Sequence, residues 1–325
     1  MRILLILNQF VFLKPLKIGG QALIEGVMMR SRGAVVTAVR RADNSITTRI
    51  RQYISLAKRY KILSLPVLRG AVSLFEALVI GIQELSYSAD VAIQDEKNRK
   101  NEEISLEKSW KDQLIMVFTI LISVLLGLGL FMYLPLKISL LIDKEQNPLL
   151  YNLTAGFIRI FFLVIYILAI SLMKDINRIF EYHGAEHKSI FTLEDNKELT
   201  IQNARKYSTF HPRCGTSFLF LAGFACIIMF GFIDGIIVAV KGSYLFTTEI
   251  NPAAWVRFLV HLPLIPLVSG VSYELLKWSG ENSDKKWIKP LIWPGLSLQR
   301  ITTREPDDSQ IEVALTSLKD ALKHH

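Results

Sequence analysis

Four apolar stretches constrain this chain more than any other feature. A helix crosses a hydrocarbon core in roughly 20 residues. Residues 114–136 carry no charge, 153–173 carry only Arg159, and 217–240 carry only Asp234. A fourth stretch, 253–271, contains Arg257, His261, Pro263 and Pro266. Four such runs predict an α-helical membrane protein with four transmembrane helices. Residues 62–83 form a fifth apolar run, broken by Pro66, Arg69, Gly70 and Glu76. Those breaks favour an amphipathic or partly inserted helix over a full span.

The charges fit the same reading. The chain is 51% hydrophobic and 21% charged with a net charge of +9, which excludes disorder. Two cysteines in 325 residues make no disulfide framework. Lys and Arg number 18 before the first span, seven in residues 174–216 and eight from residue 272 onward. The opposite loops hold only Lys137, Lys144 and Lys241. The basic side is therefore expected to be cytoplasmic, with both termini there. The membrane is a bacterial inner membrane or a plastid membrane. Membrane topology accounts for the charge, so no specific nucleic-acid partner is called for.

The chain then divides into an N-terminal extension (1–16), a cytoplasmic α+β segment (17–111), spans one and two (112–173), a His/Cys loop (174–216), spans three and four (217–271) and a tail (272–325). The extension begins like a signal peptide but lacks a small-residue cleavage site, so it is expected to stay attached. Residues 34–39 and 46–52 are rich in Val, Ile and Thr around the turn 42–45, the pattern of a small antiparallel sheet. The middle loop is expected to start as a helical continuation of span two. A short helix within 199–207 and a strand within 297–303 follow. Asp307 and Gln310 then read as the capping box of a last helix. The three soluble segments are each too small for a core of their own and are expected to pack together as one α+β unit.

The chemistry is concentrated in the middle loop. Residues 181–188 read Glu-Tyr-His-Gly-Ala-Glu-His-Lys. On a helix, His183 and His187 share a face, and Glu186 lies on the same stripe. Two such imidazoles can reach one metal ion while the carboxylate serves as general base, the order of an inverted zinc-protease motif. His211 and Cys214 follow on a Pro-Gly turn at metal-ligand spacing. These donors favour zinc. Four ligands make a closed structural site, and three leave a catalytic opening; the spacing is compatible with both. A straight helix would lift His183 about 15 Å beyond the membrane edge, away from Cys214, so the site closes only if the helix bends or tilts along the surface, or if the loop folds back.

Two further groups stand out. Gly19, Gly20 and Gly26 surround Gln21 and Glu25, which are expected either to belong to a bent strand or to face the His cluster. Arg159 and Asp234 are candidates for an intramembrane ion pair, with Arg257 and His261 facing the bundle interior.

Together the strings 19–30, 182–188, 211–217 and 302–308 resemble the YqhQ-like family, over residues 19 to about 320. That family is widespread in bacteria, is described as a domain of unknown function, and has been labelled a predicted metal-dependent enzyme. The resemblance implies that the tail motif belongs with the rest, so that Arg304, Glu305, Asp307 and Asp308 line the same cytoplasmic face; Arg213, Arg304 and Glu305 are candidates to support the ligands or face substrate. The leading expectation is a zinc-dependent hydrolase with Glu186 as base and His183, His187 and His211 or Cys214 as ligands. The alternatives are an accessory or quality-control factor for membrane-protein biogenesis or the translocation machinery, and, more weakly, a transporter.

Overall fold

The computed structural model describes residues 18–100, 110–142, 147–241 and 253–324. The N-terminal extension lies outside them, as do residues 101–109 of the approach to the first apolar helix.

The β-branched runs pair as an antiparallel meander in the order β1 (Gly19–Leu23), β2 (Gly26–Arg30), β3 (Ala34–Arg40) and β4 (Ile46–Gln52). Met28 lies opposite Gln21 on one side and Thr37 on the other. Alternation along β2 sends Val27 and Met29 to one face of the sheet and Met28 to the other. A short helix, α1 (Leu56–Arg59), and a 3-10 turn (Lys61–Ser64) lead to the long helix α2 (Leu68–Lys100). The amphipathic helix therefore begins at Leu68, later than the run 62–83 suggests. Pro66 and Val67, whose φ of 70° is left-handed, separate it from the 3-10 turn.

Helix α3 (Trp110–Leu128) continues through a π turn (Gly129–Tyr133) into α4 (Leu134–Ile142). The remaining helices are α5 (Pro148–Ser171), α6 (Lys174–Glu194), α7 (Ile201–Ala204), α8 (Gly215–Lys241), α9 (Ala253–His261), α10 (Ile265–Glu281), α11 (Lys289–Thr302) and α12 (Asp308–Lys323). Among the described residues, four helical stretches are long and apolar enough to cross a membrane: Gln113–Ile142, Pro148–Ser171, Gly215–Val240 and Ala254–Glu281. The last includes the 3-10 turn Leu262–Leu264, where Pro263 lacks the N–H that an unbroken helix needs.

The segments outside the four apolar helices do assemble into one unit. Tyr182 and Ala185 of α6 and Ala314, Leu315 and Leu318 of α12 cover the Val27, Met29 and Val36 face. Ile80 of α2 covers the other face, over Leu23, Met28 and Val35. Leu318 is fully buried, so its loss to Ala is expected to cost about 2–5 kcal/mol. The Asp307–Gln310 capping box starts α12 as the sequence predicts.

Three expectations change. Residues 297–303, expected as a strand, belong mostly to helix α11. Its buried positions Ile292, Gly295, Leu298, Gln299 and Thr302 follow a helical period. Helix α6 is no continuation of α5: Met173 is extended (φ −77°, ψ 131°), so the chain turns before α6 begins. Within the bundle, Asp234 is held by His261 (2.9 Å), Arg257 (3.2 Å) and Asn152 (2.8 Å). Arg159, the expected partner, instead lies over Phe230, 5.5 Å from its ring centre. Arg257 and His261 do face the interior, fully buried.

Candidate metal centre

Phe180, His183, His187, Ile190 and Glu194 form a stripe along α6 that lines a cavity of about 600 Å³. The opposite stripe, through Tyr182 and Ala185, grips the sheet. The turn after α7 brings Cys214 to the same cavity. Gln299 of α11 clamps that turn, accepting from the His211 N–H (2.7 Å) and donating to its carbonyl (2.8 Å). The break at Met173 thus resolves the distance problem posed by a straight helix.

His183 Nε2 lies 3.1 Å from Cys214 Sγ, and the two imidazole centres are 4.4 Å apart. One ligand atom from each of His183, His187 and Cys214 falls within 4.8 Å of the others. Ligand atoms around a tetrahedral zinc lie about 3.5 Å apart, so this set has the right dimensions. The other ring nitrogens agree. His183 Nδ1 donates to the Thr302 carbonyl (2.8 Å) and His187 Nδ1 to the Thr209 carbonyl (2.5 Å). A carbonyl only accepts, so each Nδ1 carries the proton and each Nε2 presents a lone pair. Burial pushes the His187 pKa down, which favours its neutral, ligating form.

His211 is not part of this set. Its Nδ1 accepts from the Arg213 N–H (3.2 Å), which leaves Nε2 to donate toward Glu194 (3.4 Å). Burial carries its pKa down to about 4. Arg213 lines the cavity and pairs with Glu194, and burial lowers its pKa. Glu186 is buried on the cavity wall, where Oε1 accepts the Gly20 N–H at 3.1 Å. Burial raises its pKa, against the pull of His183 and His211.

The remaining expected residues divide. Gln21 lines the cavity. Glu25 does not: the β1–β2 hairpin turns it toward Arg178 and the Tyr182 hydroxyl (3.1 Å) on another side of α6. Arg304 and Glu305 also stay out of the cavity. Arg304 binds Asn177 (3.0 Å), and Glu305 pairs with the buried Lys188 (2.7 Å). Their strand of chain crosses directly over Gly184. A Cβ there would come 2.1 Å from the Arg304 carbonyl oxygen, which explains a glycine inside the helix.

Sequence reasoning missed Glu194, although it lies seven residues after His187 and hence on its face. It also missed Gln299 and the Thr209 and Thr302 carbonyls. These act through backbone or long-range contacts and leave no local pattern.

Residues 65–324 match the family model described as Protein of unknown function (DUF1385). Over 319 residues the chain is 31% identical to the "Uncharacterized protein YqhQ" of Bacillus subtilis (strain 168), covering 95% of this chain and 93% of that one. No solved structure matches it. The chain therefore belongs to the YqhQ-like family of DUF1385 proteins.

Proposed function

We propose that the chain crosses the bilayer four times, with the sheet, His/Cys loop and tail on the cytoplasmic side, and acts there as a zinc-dependent hydrolase. The Lys and Arg asymmetry supports the orientation. What carries the enzymatic reading is that three soft donors, with two imidazole lone pairs preset, converge on the wall of a 600 Å³ cavity. His183, His187 and Cys214 would hold the metal. The hydrogen bonds of His211 keep it out of the ligand set and leave a coordination position open, as in catalytic zinc sites.

Zinc held there supplies Lewis acidity, enough to bring the pKa of water to about 7. The chain's own contribution is positional. Gly20 anchors one oxygen of Glu186, and the other is left to take a proton. The Thr302 and Thr209 carbonyls fix both imidazoles, and Gln299 fixes the turn that carries Cys214.

The test is hydrolysis of a panel of nitrophenyl esters, phosphodiesters and peptide anilides by zinc-loaded protein in detergent. Glu186→Gln is expected to keep its zinc and lose turnover by about 10²- to 10⁴-fold. Equal turnover would remove Glu186 from the mechanism. A second reading is a structural zinc, favoured because the ligands tie α6 to the turn before α8. It predicts zinc-dependent stability without turnover on any of these substrates.

A further inference from the structure

The cavity at the His/Cys cluster does not end there. It shares Gly19, Gly20, Gln21, Ala77 and Arg213 with a second cavity of about 570 Å³. Four cations line the second cavity, Arg30, Arg32, Lys58 and Arg213, and no carboxylate does. Arg30 is matched by Glu76 at 2.7 Å, and Arg213 by Glu194. Arg32 and Lys58 form no ion pair among the described residues, and both are exposed. Lys58 Nζ donates to the Arg32 backbone carbonyl at 3.2 Å, which ties the Lys58 ammonium to the segment that carries Arg32, and both residues line the same cavity. The result is an unmatched double positive charge beside the candidate metal centre.

The opposite wall belongs to elements that run into the apolar region. Ser73, Ala77 and Ile80 come from α2, and Tyr273 from α10. The N-terminal end of α2 is seated on α10 at Gly270, where a Cβ on Gly70 would meet the Gly270 carbonyl oxygen at 2.8 Å. Arg69 and Glu274 bridge the same contact. Trp278 and Trp287 pack together at 5.4 Å, both exposed, as interfacial aromatic anchors do. Gly270 lies eight residues before Trp278, about 12 Å along the helix and hence below the headgroup level. The turn entering α2 exposes Ile62, Leu65 and Leu68 at 72%, 53% and 44%. Such exposure suits lipid and not water. Leu219 at the start of α8, exposed at 42%, adds an apolar side chain to the lining of the site cavity.

We propose that the joined cavities take an anionic, phosphate-bearing lipid of the bilayer, its phosphate at Arg32 and Lys58 and its chains along the exposed apolar side chains Ile62, Leu65 and Leu68, beside the closed contact of α2 with α10. This names the substrate class of the proposed hydrolase, and rests on the membrane-surface reading of the site. A phosphate placed there lies in the cavity that opens onto His183, His187 and Cys214. The binding itself requires no metal, which allows the two ideas to fail separately.

The test uses the full chain in nanodiscs of equal phosphatidylglycerol and phosphatidylcholine, with retained lipid counted by native mass spectrometry. Wild-type protein and the His183→Ala, His187→Ala variant are both expected to retain phosphatidylglycerol several-fold over phosphatidylcholine. Arg32→Ala with Lys58→Ala is expected to bring that ratio near one. The exposed control pair Lys285→Ala with Lys286→Ala is expected to leave it unchanged. Equal retention of the two lipids by wild type, an effect as large from the control pair, or full displacement by inorganic phosphate would overturn the proposal. Zinc content measured on the same samples reads the metal centre separately. Metal-free wild-type protein that still selects phosphatidylglycerol would contradict the zinc reading and leave this one standing.

Discussion

Two clusters of polar side chains are built on the same four-residue helical spacing, Arg257 with His261 and His183 with His187, and they are arranged in opposite ways. In the bundle, His261 and Arg257 both turn onto Asp234, and Phe230 stacks on the His261 ring at 4.0 Å. Arg257 also lies 3.6 Å from the Tyr151 ring centre. Charge is matched by charge, and the space around it is filled by aromatic rings. In the unit built on the sheet, His183 and His187 spend one nitrogen each on a backbone carbonyl and turn the other toward Cys214 and a cavity. Burial is shared, although His183 is only half-buried. Leftover atoms are shared too, since His261 Nδ1 and Asn152 Oδ1 have no hydrogen-bond partner among the described residues, so what separates a packing solution from a binding site is whether room remains beside such atoms.

That contrast can be broken by substitution. The largest expected effect is in the bundle. Asp234→Ala removes the carboxylate that holds Arg257 and His261, and stranding a buried charge costs about 3–5 kcal/mol. Thermal unfolding in detergent should report that loss, with zinc content per folded chain unchanged. A coupled loss of zinc would show the two clusters to be one system. Next is Gly184→Ala, whose new methyl collides with the Arg304 carbonyl. Overpacking of this kind costs about 1–3 kcal/mol. It should also loosen the tail, read as faster hydrogen exchange in α12. Unchanged stability would mean that the tail does not press on α6.

The smallest expected effect comes from Glu25→Gln. Its pairing with Arg178 is partly exposed, and such pairs contribute about 0–1 kcal/mol. Stability should fall slightly and metal content not at all. A drop in zinc binding would return Glu25 to the site from which the hairpin turns it away.

The pattern of these outcomes follows from what the sequence can express. The four long apolar helices are legible because each is written as an apolar run of about the length that crosses a bilayer. β3 and β4 are legible from their β-branched runs, and α12 from the side chains of Asp307 and Gln310. The pairing of His183 with His187 is legible because helical spacing alone puts them on one face. Illegible features depend on long-range geometry. No glycine or proline marks the turn at Met173 that brings α6 back to Cys214. Asp234 had three basic side chains available in the apolar segments, and only packing decides that Arg257 and His261 reach it while Arg159 does not. The strand expected around Gln299 failed because its neighbours pack at helical intervals along α8 and the 211–214 turn, a contact that sequence alone does not contain.

The most direct test of this account is zinc per chain in detergent-purified wild type, in His183→Ala with His187→Ala, and in His211→Ala. The geometry predicts about one zinc in wild type and in His211→Ala, and none in the still-folded double variant. Zinc absent from all three after incubation with the metal, or retained equally by all three, would contradict it.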